Sequence, residues 1–216
     1  MELVGSVVRV RDIMTRHGKP APDTRAEVRT KRDGESAVMD PDRDSISCST
    51  FDADFAEAYR FLVYEAELLD DNRLDEWVGL LSPSLRYVMP IRLTMPRAEL
   101  DKSVDHRYRH FDDTYETIKY RVRRVQLPSA HSEYTPSRTR RFVTNVRVKP
   151  HDSPDTLDVR SYLLVMRNRM REPTYETISA ARNDVLCRTE GSLRLRSREI
   201  IIDQATLGVV NLAIFL

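Results

Sequence analysis

The chain has 216 residues, 40% hydrophobic and 32% charged, with 35 basic against 34 acidic side chains and a net charge of +1. That balance gives no electrostatic case for nucleic acid or a membrane surface as partner, and no apolar run approaches the roughly 20 residues of a membrane helix. Two cysteines, Cys48 and Cys187, make no disulfide framework, and with no basic-then-apolar leader (Leu3–Val10 is interrupted by Gly5, Ser6 and Arg9) the expected location is the cytoplasm.

Residues 1–50 mix charge with Pro, Gly and Ser and keep no hydrophobic period, so they are expected to form a polar, flexible arm. The folded domain is expected over residues 51–216. Phe51, Phe55, Ala58, Leu62, Ala66 and Leu69 recur at helical spacing, with Ser49 and Asp52 as a candidate capping box and Asp70-Asp71-Asn72 as the stop. Arg73–Leu81 reads as a second, short helix whose Trp77 anchors the core, ended by Ser82-Pro83. Leu85, Tyr87, Met89, Ile91 and Leu93 alternate as a strand, and Pro90, lacking an N–H, requires an edge or a bulge there. A polar linker follows. A third helix starts at Asp113 or Thr114, with Tyr115, Ile118, Val122 and Val125 on one face and a basic exterior of Lys119, Arg121, Arg123 and Arg124. After a loop over Pro128–Pro136 come strands at Arg141–Val148, Leu157–Met170 and from Tyr175 onward. Helices first and a strand meander later indicate α+β, with helices on one face of a mainly antiparallel sheet.

The last fifth of the chain is a hairpin around Glu190-Gly191, followed by an apolar run from Val209 to Leu216. The end is expected to be tied down, since loose ends are usually polar. A two-residue loop pairs Leu186 with Leu195, Asp184 with Ser197, Arg182 with Glu199 and Ala180 with Ile201 on one face. It pairs Cys187 with Arg194, Val185 with Arg196 and Asn183 with Arg198 on the other. Arg194, Arg196 and Arg198 then form a stripe facing solvent or another subunit.

Two constellations carry potential chemistry. His106 and His110, four apart with Asp112 nearby, are the raw material of a two-His, one-carboxylate iron site if the stretch is helical; local bonding or exposure is the favoured reading. Tyr87, His106, Asp112 and Asp184 could supply acid and base in a pocket between helices and sheet, or be hydrogen-bonded core residues. Dinucleotide, P-loop, zincin and nucleophile-elbow motifs are absent, as is the C-x-H with C-x-x-H of an imidazole-ligated iron–sulfur cluster.

Four segments, in order, carry a resemblance: Tyr64–Asp70 into Leu74–Trp77, Leu85–Arg92, Ser137–Val148, and Arg182–Leu186 with Arg198–Gln204 ending in Asn211–Leu216. Phe111-Asp112-Asp113 fits as well. Over about residues 52–216 the chain resembles the small (beta) subunit of the aromatic-ring-hydroxylating dioxygenases, the Rieske non-haem iron oxygenases. The resemblance implies an NTF2-like cone of helices on a strongly curved sheet. It implies no metal and no catalytic residue in this chain, the Rieske 2Fe-2S cluster and mononuclear iron belonging to a large alpha subunit. It further implies an α3β3 hexamer that oxidises aromatic compounds with dioxygen and NAD(P)H-derived electrons. Arg138, Arg140, Arg141, Arg194, Arg196 and Arg198 are the expected subunit-contact residues. The competing expectation is a free-standing dehydratase or isomerase of the same fold using Tyr87, His106 and Asp184.

Overall fold

The computed structural model describes residues 53–127, 135–153, 155–169 and 171–216. The expected arm, Cys48 and the Ser49–Asp52 capping box lie outside the described residues. The elements are α1 (Ala53–Asp70), α2 (Leu74–Gly79), β1 (Leu81–Arg92), a 3-10 turn (Arg97–Lys102), β2 (Val104–Thr114), α3 (Tyr115–Gln126), β3 (Arg138–Pro150), β4 (Thr156–Asn168), β5 (Glu176–Thr189) and β6 (Ser192–Ile202).

One six-stranded sheet is ordered β2-β1-β6-β5-β4-β3. β1 runs parallel to β6 and the other neighbours are antiparallel, so the sheet is mixed. Its inward face meets the helices. α1 contributes Ala58, Phe61, Leu62, Leu68 and Leu69, and α2 contributes Leu74 and a fully buried Trp77. α3 contributes Ile118 and Val122, and Thr114 closes a capping box with Thr117 at its start. These apolar side chains, the larger ones each stabilising by about 1.5–3 kcal/mol on burial, hold helices to sheet.

The polar stretch before α3, expected as a linker, contains the edge strand β2. Its side chains are mostly exposed, so it is held by backbone pairing to β1 rather than by an apolar face, and no alternation marks it. Pro90 sits at a bulge: Met89 pairs with Phe111 and Pro90 with Arg109, but Ile91 pairs with Asp105. His106, Arg107 and Tyr108 therefore loop out of the ladder.

At the hairpin, Glu190 (φ 53°) and Gly191 (φ 79°) both take left-handed conformations, the two-residue loop that matches strand twist. Cys187 faces Arg194 and Leu186 faces Leu195 as expected. Beyond them a bulge shifts β6 by one residue, so that Val185 faces Ser197, Asp184 faces Arg198 and Arg182 faces Ile200. The bulge divides the expected stripe. Arg194 is half-buried and Arg196 exposed, but Arg198 turns inward and is 0% exposed. In β3 likewise, Arg138 and Arg140 are exposed while Arg141 is buried.

Candidate functional site

The centre of the domain is an ion network. Glu65 lies on the apolar stripe of α1, one turn from Phe61 and Leu62 and one turn from Leu68 and Leu69, and is buried with them. Arg198 spends all five guanidinium N–H groups on buried acceptors. Nε donates to Asp184 Oδ1 at 2.8 Å and Nη2 to Asp184 Oδ2 at 2.7 Å. Nη1 and Nη2 donate to Glu65 Oε1 and Oε2 at 2.8 and 2.7 Å, and Nη1 also reaches the backbone oxygen of Leu216 at 3.0 Å. Arg182 stands 3.5 Å from Glu65 and donates to Ser161 at 3.2 Å. Trp77 donates its indole N–H to Glu65 at 3.1 Å. Two arginines and two carboxylates thus balance one another away from water, the condition under which buried charge is tolerated.

The titration directions follow. Burial alone would raise the Glu65 carboxyl, but the facing Arg198 and Arg182 overcome it and hold Glu65 below its usual value. Burial works against the Arg198 charge, yet Asp184 and Glu65 outweigh it and hold that guanidinium well above its ordinary value. Arg182 is pushed down by burial and by Arg198 beside it. Burial raises the Tyr87 phenol, and both of its hydrogen-bonding roles are occupied: it donates to the Leu216 backbone oxygen at 2.5 Å and accepts from the Leu216 N–H at 2.8 Å.

Three buried arginines hold the segment after β6. Arg167 donates to the Asn211 backbone oxygen and side chain at 3.0 Å each. Arg141 donates to the Phe215 backbone oxygen at 2.7 Å while pairing with Asp70 at 2.5 Å. Arg198 holds Leu216. The Phe215 ring packs 4.5 Å from Trp77, and Arg121, paired with Asp113, lies 4.9 Å from the rings of both Phe111 and Phe215.

The acid–base candidates are not brought together. Tyr87 and Asp184 are buried on the inward face, whereas the His106 side chain is 61% exposed on the looped-out part of β2, 3.3 Å from Glu199. Asp112 is exposed and pairs with Arg86 and Arg109 at 3.5 Å each. His110 is on the same strand, so no helix turn joins it to His106. Among the described residues no group of three or more His, Cys, Asp or Glu is placed to hold a metal ion, and no helix is long and apolar enough to cross a membrane. Glu65 and Arg167 were missed by sequence reasoning. Glu65 carried a signal, a carboxylate on an otherwise apolar helical stripe; Arg167 carried none beyond strand alternation.

The outward face of the sheet holds a cleft of about 620 Å³ whose lining includes Arg86, His106, Arg147, Arg160, Asn183 and Glu199. A second cavity of about 540 Å³ lies between α2, α3 and the Ala213–Phe215 segment.

The comparisons agree with this architecture. Residues 64–208 match the family described as ring hydroxylating beta subunit. The chain is 36% identical over 163 residues to the biphenyl 2,3-dioxygenase subunit beta of Rhodococcus jostii (strain RHA1), covering 74% of this chain and 87% of that protein. It is 35% identical over 159 residues to the N,N-dimethyl phenylurea N-demethylase subunit beta of Sphingobium sp. (strain YBL2), covering 74% and 89%. A chain of a naphthalene 1,2-dioxygenase structure superposes with a TM-score of 0.67 at 24% identity, over 81% of this chain and 93% of that one. A putative scytalone dehydratase from Novosphingobium aromaticivorans superposes at 0.52 and 15% identity, over 72% and 88%. The fold is the expected α+β, NTF2-like cone, and, on the match over residues 64–208 and the identity to curated subunits, the chain belongs to the family of ring-hydroxylating dioxygenase beta subunits.

Proposed function

We propose that this chain is the non-catalytic, structural subunit of a cytoplasmic aromatic-ring-hydroxylating oxygenase. It holds catalytic alpha subunits in an α3β3 assembly, and those subunits carry the Rieske 2Fe-2S cluster and the mononuclear iron. The observation that carries the reading is the filled interior. Where a free-standing dehydratase or isomerase of this fold would need an open acid–base pocket, Glu65, Arg182, Asp184 and Arg198 neutralise one another. Tyr87 is meanwhile spent on the Leu216 backbone. A group with both hydrogen-bonding roles occupied and no solvent contact is poorly placed to exchange a proton with a substrate. What the chain offers a partner is a rigid scaffold.

The test is purification of the chain with and without a co-expressed large (alpha) subunit, followed by mass and iron determination. An iron-free chain alone and an iron-bearing α3β3 complex together are expected. Failure to associate, or dehydratase or isomerase turnover by the chain alone that is lost in Tyr87→Phe, would overturn the reading.

A further inference from the structure

The cleft of about 620 Å³ on the outward face of the sheet has a basic wall. Arg147 on β3 and Arg160 on β4 stand directly opposite each other there, both exposed. Among the described residues neither guanidinium has a hydrogen bond or an ion pair.

A bulge makes this pair. Thr144 faces Tyr162, but beyond the bulge Arg147 faces Arg160. In unbroken register Val146 would face Arg160, and Arg147 would face Val159, which is buried on the inward side. One extra residue therefore turns Arg147 outward and onto Arg160. Asn145, within the bulge, takes a left-handed conformation at φ 53°, which asparagine tolerates better than most residues. Like charges directly opposite on adjacent strands are destabilising unless an anion lies between them.

The nearby carboxylates are already committed. Asp184 is held by Arg198 at 2.7 Å on the inward face. Asp158 lies 2.8 Å from His151. Glu199 accepts from Asn183 at 3.2 Å and lies 3.3 Å from His106. Asp112 lies 3.5 Å from both Arg86 and Arg109. Arg147 and Arg160 are left as two uncompensated charges in a concave site, where walls of one sign focus the field on a counter-ion. Two guanidinium forks offer more donors than one carboxylate accepts, and more charge than a monoanion balances. A phosphate group supplies three acceptor oxygens and a charge close to two. The cleft is also of a size that takes small organic molecules. Val88, Pro90 and Val185 give it apolar surface for whatever carries the anion.

We propose that this cleft binds a phosphate dianion, free or as the head of a small phosphomonoester, between Arg147 and Arg160. The site rests on the ladder register and is independent of the subunit reading.

The experiment is titration calorimetry of the full chain with inorganic phosphate and with phenyl phosphate, at an ionic strength held near about 0.15 M with sodium chloride. A dissociation constant on the order of 1 mM or tighter is expected for at least one of the two. It should weaken at least about 10-fold in Arg147→Gln with Arg160→Gln, and stay unchanged in Arg123→Gln with Arg124→Gln on α3. Tighter binding of phenyl phosphate would identify an organic ester as the ligand, and equal binding the free ion; both support the site. Should the cleft variant fail to fold, phenylglyoxal labelling of the wild type, read by mass spectrometry, decides. Phosphate should slow the labelling of Arg147 and Arg160 several-fold and leave that of Arg123 as it was. No binding of either anion beyond the effect of added chloride overturns the inference. So does a cleft variant that binds as well as the wild type, an α3 variant that loses as much affinity as the cleft variant, or labelling of Arg147 and Arg160 that phosphate does not change.

Discussion

Arg198 and Glu65, separated by 133 positions, face each other through two parallel N–H···O contacts of 2.8 and 2.7 Å, with no solvent contact on either side chain. The pair joins the central helix to the central strand. Removing one partner leaves the other's buried charge short of one of its two counterions. Arg198→Ala and Glu65→Ala should each cost about 3–5 kcal/mol in urea unfolding. The double variant should cost clearly less than the sum, because it strands fewer charges. Additive losses would show that the two do not act as a pair.

The same network sets the acid limit of stability. Glu65 is held below its ordinary value of 4.5. Its folded-state preference for the charged form therefore contributes fully above that value and is lost as pH falls through the folded one. Between pH 6 and 3 the unfolding midpoint of the wild type should fall more steeply than that of Glu65→Gln, compared by thermal melts at one protein concentration. Parallel curves would remove Glu65 as a source of acid sensitivity.

The terminal clamp should be as costly to open. Tyr87→Phe removes the hydroxyl that both donates to and accepts from Leu216, and leaves a buried backbone N–H and oxygen short of a partner. A loss of about 1–3 kcal/mol is expected. Deleting Phe215 and Leu216 should be worse. It uncovers Trp77, takes acceptors from Arg141 and Arg198, and empties a space of phenylalanine size, for which the core cost alone is about 3–5 kcal/mol. Poor solubility or failed assembly is expected, and a truncated chain that assembles normally would sink the clamp.

At the hairpin a gain is available. Glu190 adopts φ 53° with a side chain that earns nothing there, whereas asparagine tolerates this conformation and suits the first loop position. Glu190→Asn should raise stability by about 0.5 kcal/mol, while Gly191→Val, at φ 79°, should lower it by about 1–2 kcal/mol. Reversed signs in denaturant midpoints would refute the turn geometry.

Much of this was legible in the residues. The apolar stripes of α1 and α3, the alternation of β1 and the Glu190-Gly191 loop are local patterns, and local patterns report local structure. So does Pro90, whose missing N–H called for an edge or a bulge, and a bulge is found there. β2 was not legible, because an edge strand stabilised by backbone pairing needs no hydrophobic period. Nor was the inward turn of Arg198 and Arg141. Alternation alone assigned Arg198 outward, and one extra residue at the β6 bulge reversed it.

By itself, then, the sequence determined which segments other than β2 are helices and strands and which apolar residues fill the core, since these depend on spacing along one element. Only the tertiary structure decided where the charges go. Whether an arginine lies inside or outside depends on a register between strands, and whether Arg198 can lie inside depends on one carboxylate from the neighbouring strand and another from a helix 133 residues away. Burial of that charge is tolerable only when every donor finds its acceptor at once, a condition that no single stretch of chain contains.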